Sequence, residues 1–260
     1  MKITVLVENT SSCDIPVEHG LSLYIEACGK KVLFDSGQST LFAENAKRLG
    51  VDLKAVDFCV LSHGHYDHSG GLMEFIREND HAPIYMNKNA FGLHYHGDDR
   101  YIGIDRQWMD KADFVSRIVF TDGDYKICDG FEILGKKGKM RIDMGSAGLC
   151  VNENGKFVPE KFEHEHYLLI NEGEKRILIS GCSHAGIINI VDWFEPDVCI
   201  GGFHFMKEAP GEKLANYGKI LNEYNTEYYT CHCTGVEQYE FLKGYIDRLH
   251  YISAGSSINI

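Results

Sequence analysis

The sequence predicts an α/β fold made of two similar halves, in which strands outnumber helices. Three observations carry the prediction. Apolar runs of strand length recur along the chain, stretches with helical spacing follow alternate runs, and no repeat, low-complexity tract or Pro/Ser-rich linker interrupts the pattern. Two strand sets with helices outside them suit a two-sheet αββα sandwich. Periodicity alone also allows a three-layer α/β fold. At 260 residues the chain is one such domain or two small ones, with ample length for a sizeable core.

The first half opens with a strand near residues 2–9 and a hairpin from Ser22-Leu23-Tyr24-Ile25 to Val32-Leu33-Phe34. A helix around residues 40–49 ends at Gly50. Ala55-Val56-Asp57-Phe58-Cys59-Val60-Leu61 reads as a strand buried on both faces. Leu72, Met73, Phe75 and Ile76 then recur at helical spacing, and Ala82-Pro83-Ile84-Tyr85-Met86 is a short strand. A polar, aromatic-rich excursion from about 88 to 145 includes Gly92-Leu93-His94-Tyr95-His96, Arg100, Tyr101 and Trp108, and is expected to be an insertion forming a lid or substrate wall, or equally a surface insertion with two small strands. The second half has strands at Tyr167-Leu168-Leu169-Ile170 and Arg176-Ile177-Leu178-Ile179-Ser180, then a helix from about 185. Val198-Cys199-Ile200 leads to a helix from about 211, and Glu227-Tyr228-Tyr229-Thr230-Cys231 to a closing helix.

Composition bounds the function. Apolar content of 44% and charged content of 25% are ordinary for a globular chain. A net charge of −12 argues against nucleic-acid and anionic-membrane partners, which need a basic surface, and leaves a small-molecule substrate. No export signal or membrane-spanning run is visible, and nine cysteines lack any Cys-x-x-Cys pair. A cytoplasmic protein is expected. Its oligomeric state is left open.

One stretch serves no core. Leu61-Ser62-His63-Gly64-His65-Tyr66-Asp67-His68-Ser69-Gly70-Gly71-Leu72 packs three imidazoles and a carboxylate into six positions. Buried together they would be costly without a cation, whereas neutral imidazole and carboxylate are the donors that zinc and its neighbours accept. The motif sits between a buried strand and a helix, at the carboxyl end where α/β folds place their sites. His63 and His65 differ by two and point the same way from extended backbone, while Asp67 and His68 lie past the bend. That layout suits two metals. Three further histidines, His184, His204 and His232, each stand just after a predicted strand.

His-x-His-x-Asp-His after a hydrophobic strand, with Leu33-Phe34-Asp35-Ser36-Gly37 upstream, resembles the metallo-β-lactamase fold superfamily. Glu18-His19-Gly20-Leu21-Ser22, Gly181-Cys182-Ser183-His184, Gly201-Gly202-Phe203-His204 and His232-Cys233-Thr234-Gly235 look like one branch of it. That branch is usually labelled metal-dependent hydrolase, with archaeal relatives linked to dihydropterin–ribofuranosyl-aminobenzene phosphate synthesis. The resemblance implies a single domain over residues 1–260, a four-layer αββα sandwich, and one or two divalent ions, zinc before manganese or iron.

It also implies a site. His63, His65 and His184 are expected on a first metal, and Asp67, His68 and His232 on a second. His204 is expected to face substrate as a proton donor. The superfamily's bridging Asp has no counterpart in Gly181-Cys182-Ser183-His184, so Cys182 or Glu165 is expected in its place, with His164 as an additional candidate ligand. Asp35 is expected to orient a ligand histidine. Glu8, Asn9 and His19 are expected to line the pocket, and Lys88, His94, His96 and Arg100 to contact an anionic substrate.

The leading expectation is hydrolysis of a small ester or phosphoester by metal-activated water, with Asp67 as proton acceptor; no Gly-x-Ser-x-Gly nucleophile is present. Exported lactamases, glutathione thioesterases with an added helical segment, basic RNA-processing members and flavin-dependent members with Glu at position 65 fit less well. A pterin-dependent transferase and a non-catalytic metal sensor are the alternatives.

Overall fold

The computed structural model describes residues 1–97, 100–143 and 145–260. Two seven-stranded sheets face each other. The first runs Ser257–Asn259, Lys2–Val7, Ser22–Ala27, Lys30–Phe34, Phe58–Val60, Ile84–Asn87 and Ile118–Thr121. The second runs Leu249–Tyr251, Glu227–Thr230, Val198–Gly201, Lys175–Ile179, His166–Glu172, Phe131–Gly135 and Tyr125–Cys128.

Alternation along these strands builds the layers. Ile3, Val5, Leu23, Ile25, Val32 and Phe34 pack against Phe131, Ile133, Leu168, Ile170, Ile177 and Ile179 to fill the space between sheets. The opposite faces are covered by helices. Leu33, Cys59 and Ile84 pack with Phe42 and Ala46 of helix Leu41–Arg48 and with Leu72 and Phe75 of helix Leu72–Glu78. Leu169, Leu178 and Tyr228 pack with Ile190, Leu214 and Leu242 from helices Ile187–Phe194, Glu212–Asn222 and Val236–Leu242. Each sheet is therefore buried on both faces, and the result is an αββα sandwich.

Two sequence expectations are altered. Helix Val236–Leu242 does not close the chain: Leu249–Tyr251 extends the second sheet and Ser257–Asn259 returns to pair with Lys2–Thr4 in the first. Of that last strand only Ile258 is apolar, too weak a pattern to read. The excursion over 88–145 is also divided. Ile118–Thr121 belongs to the first sheet, and Tyr125–Cys128 and Phe131–Gly135 to the second, because Phe131 and Ile133 are core residues. A separate small sheet joins Lys156–Pro159, Leu149–Glu153, His94–His96 and Arg100–Tyr101. It is stitched to the motif loop by the Tyr66 N–H to the Ile102 carbonyl, 2.8 Å, and a His65 to Gly103 bridge.

Parallel strands aim their carboxyl ends at one rim. Lys30–Phe34 and Phe58–Val60 deliver Asp35 and the histidine motif there; Lys175–Ile179, Val198–Gly201 and Glu227–Thr230 deliver Cys182, His184, His204 and His232.

Candidate metal centre

The backbone at this rim is unusual. Asp35, Ser183, His204 and His232 all hold positive φ, between 50° and 57°. Non-glycine residues adopt that conformation at a cost, and it clusters where a side chain must be aimed. Gly64 meets a different demand: a Cβ there would overlap the Ala90 carbonyl, so only glycine lets the motif loop lie against residues 89–91.

Outer contacts decide which imidazole nitrogen faces inward. Asp35, fully buried, accepts from the Ser62 amide and hydroxyl, both at 2.7 Å, and lies 2.6 Å from His68 Nδ1. Ser62 Oγ in turn sits 2.8 Å from His63 Nδ1, and Asn9 Oδ1 2.8 Å from His232 Nδ1. Each Nδ1 has an acceptor, which leaves the Nε2 lone pairs of His63, His68 and His232 pointing inward. Glu8 braces the strained His232 backbone, accepting from its N–H at 2.6 Å and from the Tyr251 hydroxyl at 2.8 Å.

The inward donors gather into groups. His63, Cys182 and His184 form one, and His68, Cys182 and His232 another. His63 and His184 bring their Nε2 atoms to 3.3 Å, the edge of about 3.3–3.4 Å that tetrahedral zinc requires with bonds of 2.0–2.1 Å. Cys182 Sγ is 3.2 Å from His68 Nε2 and is common to both groups. Asp67 Oδ2 lies 3.2 Å from His19 Nε2 and 3.5 Å from His232 Nε2 in a third group.

The protonation states fit a cation. Burial drives His63 and His184 well below the ordinary imidazole range, and His65 and His232 to about 3 and about 4. Burial opposes charge on His68 as well, but the Asp35 and Asp67 carboxylates outweigh it and raise its pKa. Burial would raise Asp67, yet His68 and contacts from His19 and His232 hold it well below the carboxylate range. Burial keeps the Cys182 thiol protonated, far above its usual value; a coordinating metal is what ionises such a thiol. His184 Nδ1 and His232 Nε2 are buried without hydrogen-bond partners. Neutral imidazoles at His63, His184 and His232, an ionised carboxylate and a thiol that a cation would ionise are a donor set for a divalent ion.

Several expected roles shift. His65 lies near His63 and His184, with ring centroids 4.6 and 4.9 Å away, and lines the same cavity, and its donor also groups with His94, Glu160 and His164. Glu165 is no bridge: its oxygens accept from the His184 and Ala185 amides and the Tyr167 hydroxyl, anchoring the turn that carries His184. Glu8 and Asn9 support His232 rather than line the cavity. Lys88 pairs with Asp122 on the surface, and His94 is buried 2.8 Å from Glu160, so neither faces the central cavity. His164 accepts the Gly64 N–H through Nδ1.

His19, Asp67, His96, Arg100, Cys182 and His204 do line that cavity, of about 240 Å³, with Tyr66, Ile102, Leu149, Met206 and Lys207. The His204 ring lies 4.4 Å from His184, and burial, then Lys207, pushes its pKa to about 4. Ser62, Glu160 and Lys207 had no readable signal, since each takes its role in part from a distant residue, Asp35, His94 and His96 respectively. Asn9→Ala is expected to weaken metal binding by about 10–100-fold through loss of the His232 tautomer, measured by competition with a chromogenic chelator.

No helix among the described residues is long and apolar enough to cross a membrane. The model of the metallo-beta-lactamase superfamily matches residues 15–218. An uncharacterized protein of Methanocaldococcus jannaschii is 32% identical over 90% of each chain. A 7,8-dihydropterin-6-methyl-4-(beta-D-ribofuranosyl)-aminobenzene-5'-phosphate synthase of the same organism is 30% identical over 96% of this chain and 94% of its own. The crystal structure of Tm1679, described as a metal-dependent hydrolase of the beta-lactamase superfamily, superposes with a TM-score of 0.85 at 30% identity, covering 100% of this chain and 99% of that one. With these likenesses spanning a rim of convergent histidines, the chain belongs to the metallo-β-lactamase superfamily.

Proposed function

We propose that this protein is a metal-dependent hydrolase of a small anionic ester or phosphoester. The observation that carries the reading is Cys182, shared by two donor groups at the floor of a cavity that Asp67 and His204 also line. His63, Cys182 and His184 would hold one divalent ion, and Cys182, Asp67, His68 and His232 a second, zinc before manganese or iron. Such ions supply Lewis acidity and bring the pKa of water from 15.7 to about 7.

The chain's own groups do the rest. Asp67, kept ionised by its imidazole neighbours, accepts a hydrogen bond and then the proton from the attacking water. His204, kept neutral, presents an N–H to the leaving oxygen. Arg100, which donates to the Tyr66 hydroxyl at 2.9 Å, and Lys207, 3.1 Å from His96 Nε2, place positive charge at the mouth of a chain whose net charge is −12. That local field draws a small anion. Nine free cysteines suit a reducing compartment, the cytoplasm.

A transferase reading is favoured by one observation, the relative whose name specifies a dihydropterin synthase. In it the same cations would grip a phosphate and Asp67 would accept the proton of the coupling partner. Metal analysis together with a panel of chromogenic phosphodiester, phosphomonoester and thioester substrates separates the two. Hydrolysis of a panel member, lost on chelation and restored by metal, is expected. Silence across the panel, with coupling of pterin pyrophosphate to ribosyl-aminobenzene phosphate, would overturn hydrolysis in favour of transfer.

A further inference from the structure

Two buried thiols meet at the cavity wall, and the mechanism gives the second of them no task. Cys182 and Cys233 are both buried, and both line the cavity that holds Asp67 and His204. They sit in turns that follow strands Lys175–Ile179 and Glu227–Thr230, with Val198–Gly201 standing between those strands. A side chain just after the middle strand would hold the two sulfurs apart. Gly202 has none: a Cβ there would lie 2.3 Å from Cys233 Sγ. The Gly202 N–H donates to the Gly181 carbonyl at 2.8 Å, and the Cys233 thiol reaches the Cys182 carbonyl at 3.4 Å. After burial, hydrogen bonding with Cys233 is the largest influence raising the Cys182 thiol. Three other buried thiols, Cys59, Cys199 and Cys231, are enclosed in hydrophobic clusters away from the cavity lining.

We propose that Cys182 and Cys233 form a reversible oxidation site, closed to a disulfide by hydrogen peroxide. The cavity, of about 240 Å³, brings so small an oxidant to both sulfurs. Peroxide transfers one oxygen to one thiol, giving a sulfenic acid and a molecule of water. The other thiol attacks that sulfur, the S–S bond forms, and the oxygen leaves as a second water. One peroxide is reduced and two thiols are oxidised, and an added dithiol reverses the change by exchange. Burial keeps the Cys182 thiol protonated, which slows the first step and makes the pair answer to sustained rather than brief oxidation.

The consequence for the centre rests on the reading of Cys182 as a ligand shared by two ions. A sulfur bonded to Cys233 no longer offers a thiolate, so oxidation releases metal and halts turnover until the disulfide is reduced. The disulfide itself does not depend on which reaction the rim performs.

Peroxide treatment of the purified protein, then alkylation in denaturant and peptide mapping, tests the pair separately from its consequence. A cross-linked peptide holding Cys182 and Cys233 is expected, lost after dithiothreitol and never formed in Cys233→Ser. Recovery of both residues unlinked, while the exposed Cys13 and Cys28 are oxidised, would overturn the proposal. If Cys233→Ser fails to fold, the map of the unaltered protein before and after dithiothreitol decides alone. Metal counts on the same samples judge the consequence, with loss on oxidation and recovery on reduction and resupply expected. A cross-link formed at unchanged metal content would uphold the pair and instead strike Cys182 from the ligands of the centre.

Discussion

Asp67→Asn is expected to lower turnover by about 10²–10⁴-fold, the span general-base catalysis ordinarily contributes. The substitution keeps the shape of the side chain but removes its charge and half its accepting capacity. His19 at 3.2 Å and His232 at 3.5 Å both look to Oδ2, and the carboxylate is the one ionised group that faces the cavity floor from the motif loop. The variant is expected to fold, since its side chain bounds a cavity and fills no core. Steady-state kinetics on whichever panel ester is cleaved, paired with metal counts, reads the effect. Turnover within threefold of the unaltered enzyme at full metal occupancy would remove Asp67 from the chemistry.

Asp35→Ala acts through stability. The side chain is fully buried and takes hydrogen bonds from Ser62 N, Ser62 Oγ and His68 Nδ1, all within 2.7 Å. Removing one partner from such a network leaves the others desolvated and unpaired, a loss of about 3–5 kcal/mol. His68 and, through Ser62, His63 would lose the contacts that select their tautomers, so weaker metal binding should accompany the loss. Chemical denaturation of the metal-free proteins isolates the first effect. Loss of less than about 1 kcal/mol would show that water can replace the carboxylate there.

Much of this arrangement was legible in the sequence because strand ends advertise themselves. Asp35, the histidine motif, Cys182, His184, His204 and His232 each follow an apolar run, and parallel pairing brings those ends to one rim. That Asp35 orients a ligand histidine was readable too, but that the histidine is His68 was not. What could not be read depends on partners distant along the chain. Glu8 and Asn9 were recognised as strand-end residues, but their role required knowing that residue 232 lands beside them with left-handed backbone. Glu165 looked as good a bridge as Cys182 until its oxygens were seen bound to the His184 turn. Glu160 carried no local pattern, and the strands between 118 and 135 were masked by the polar, aromatic sequence around them. Weak periodicity likewise hid Ser257–Asn259, whose pairing is decided by a vacant sheet edge rather than by its own residues.

The rim has a thermodynamic consequence. His63 and His68 hang from one sheet while Cys182, His184 and His232 hang from the other, so an ion gripping both behaves as a rivet between layers. Occupancy and resistance to unfolding then become one quantity linked by mass action. Every tenfold rise in free ion above the dissociation constant adds about 1.4 kcal/mol per site, provided the unfolded chain binds none. The melting temperature of this protein should accordingly be quoted only alongside the metal activity of its buffer.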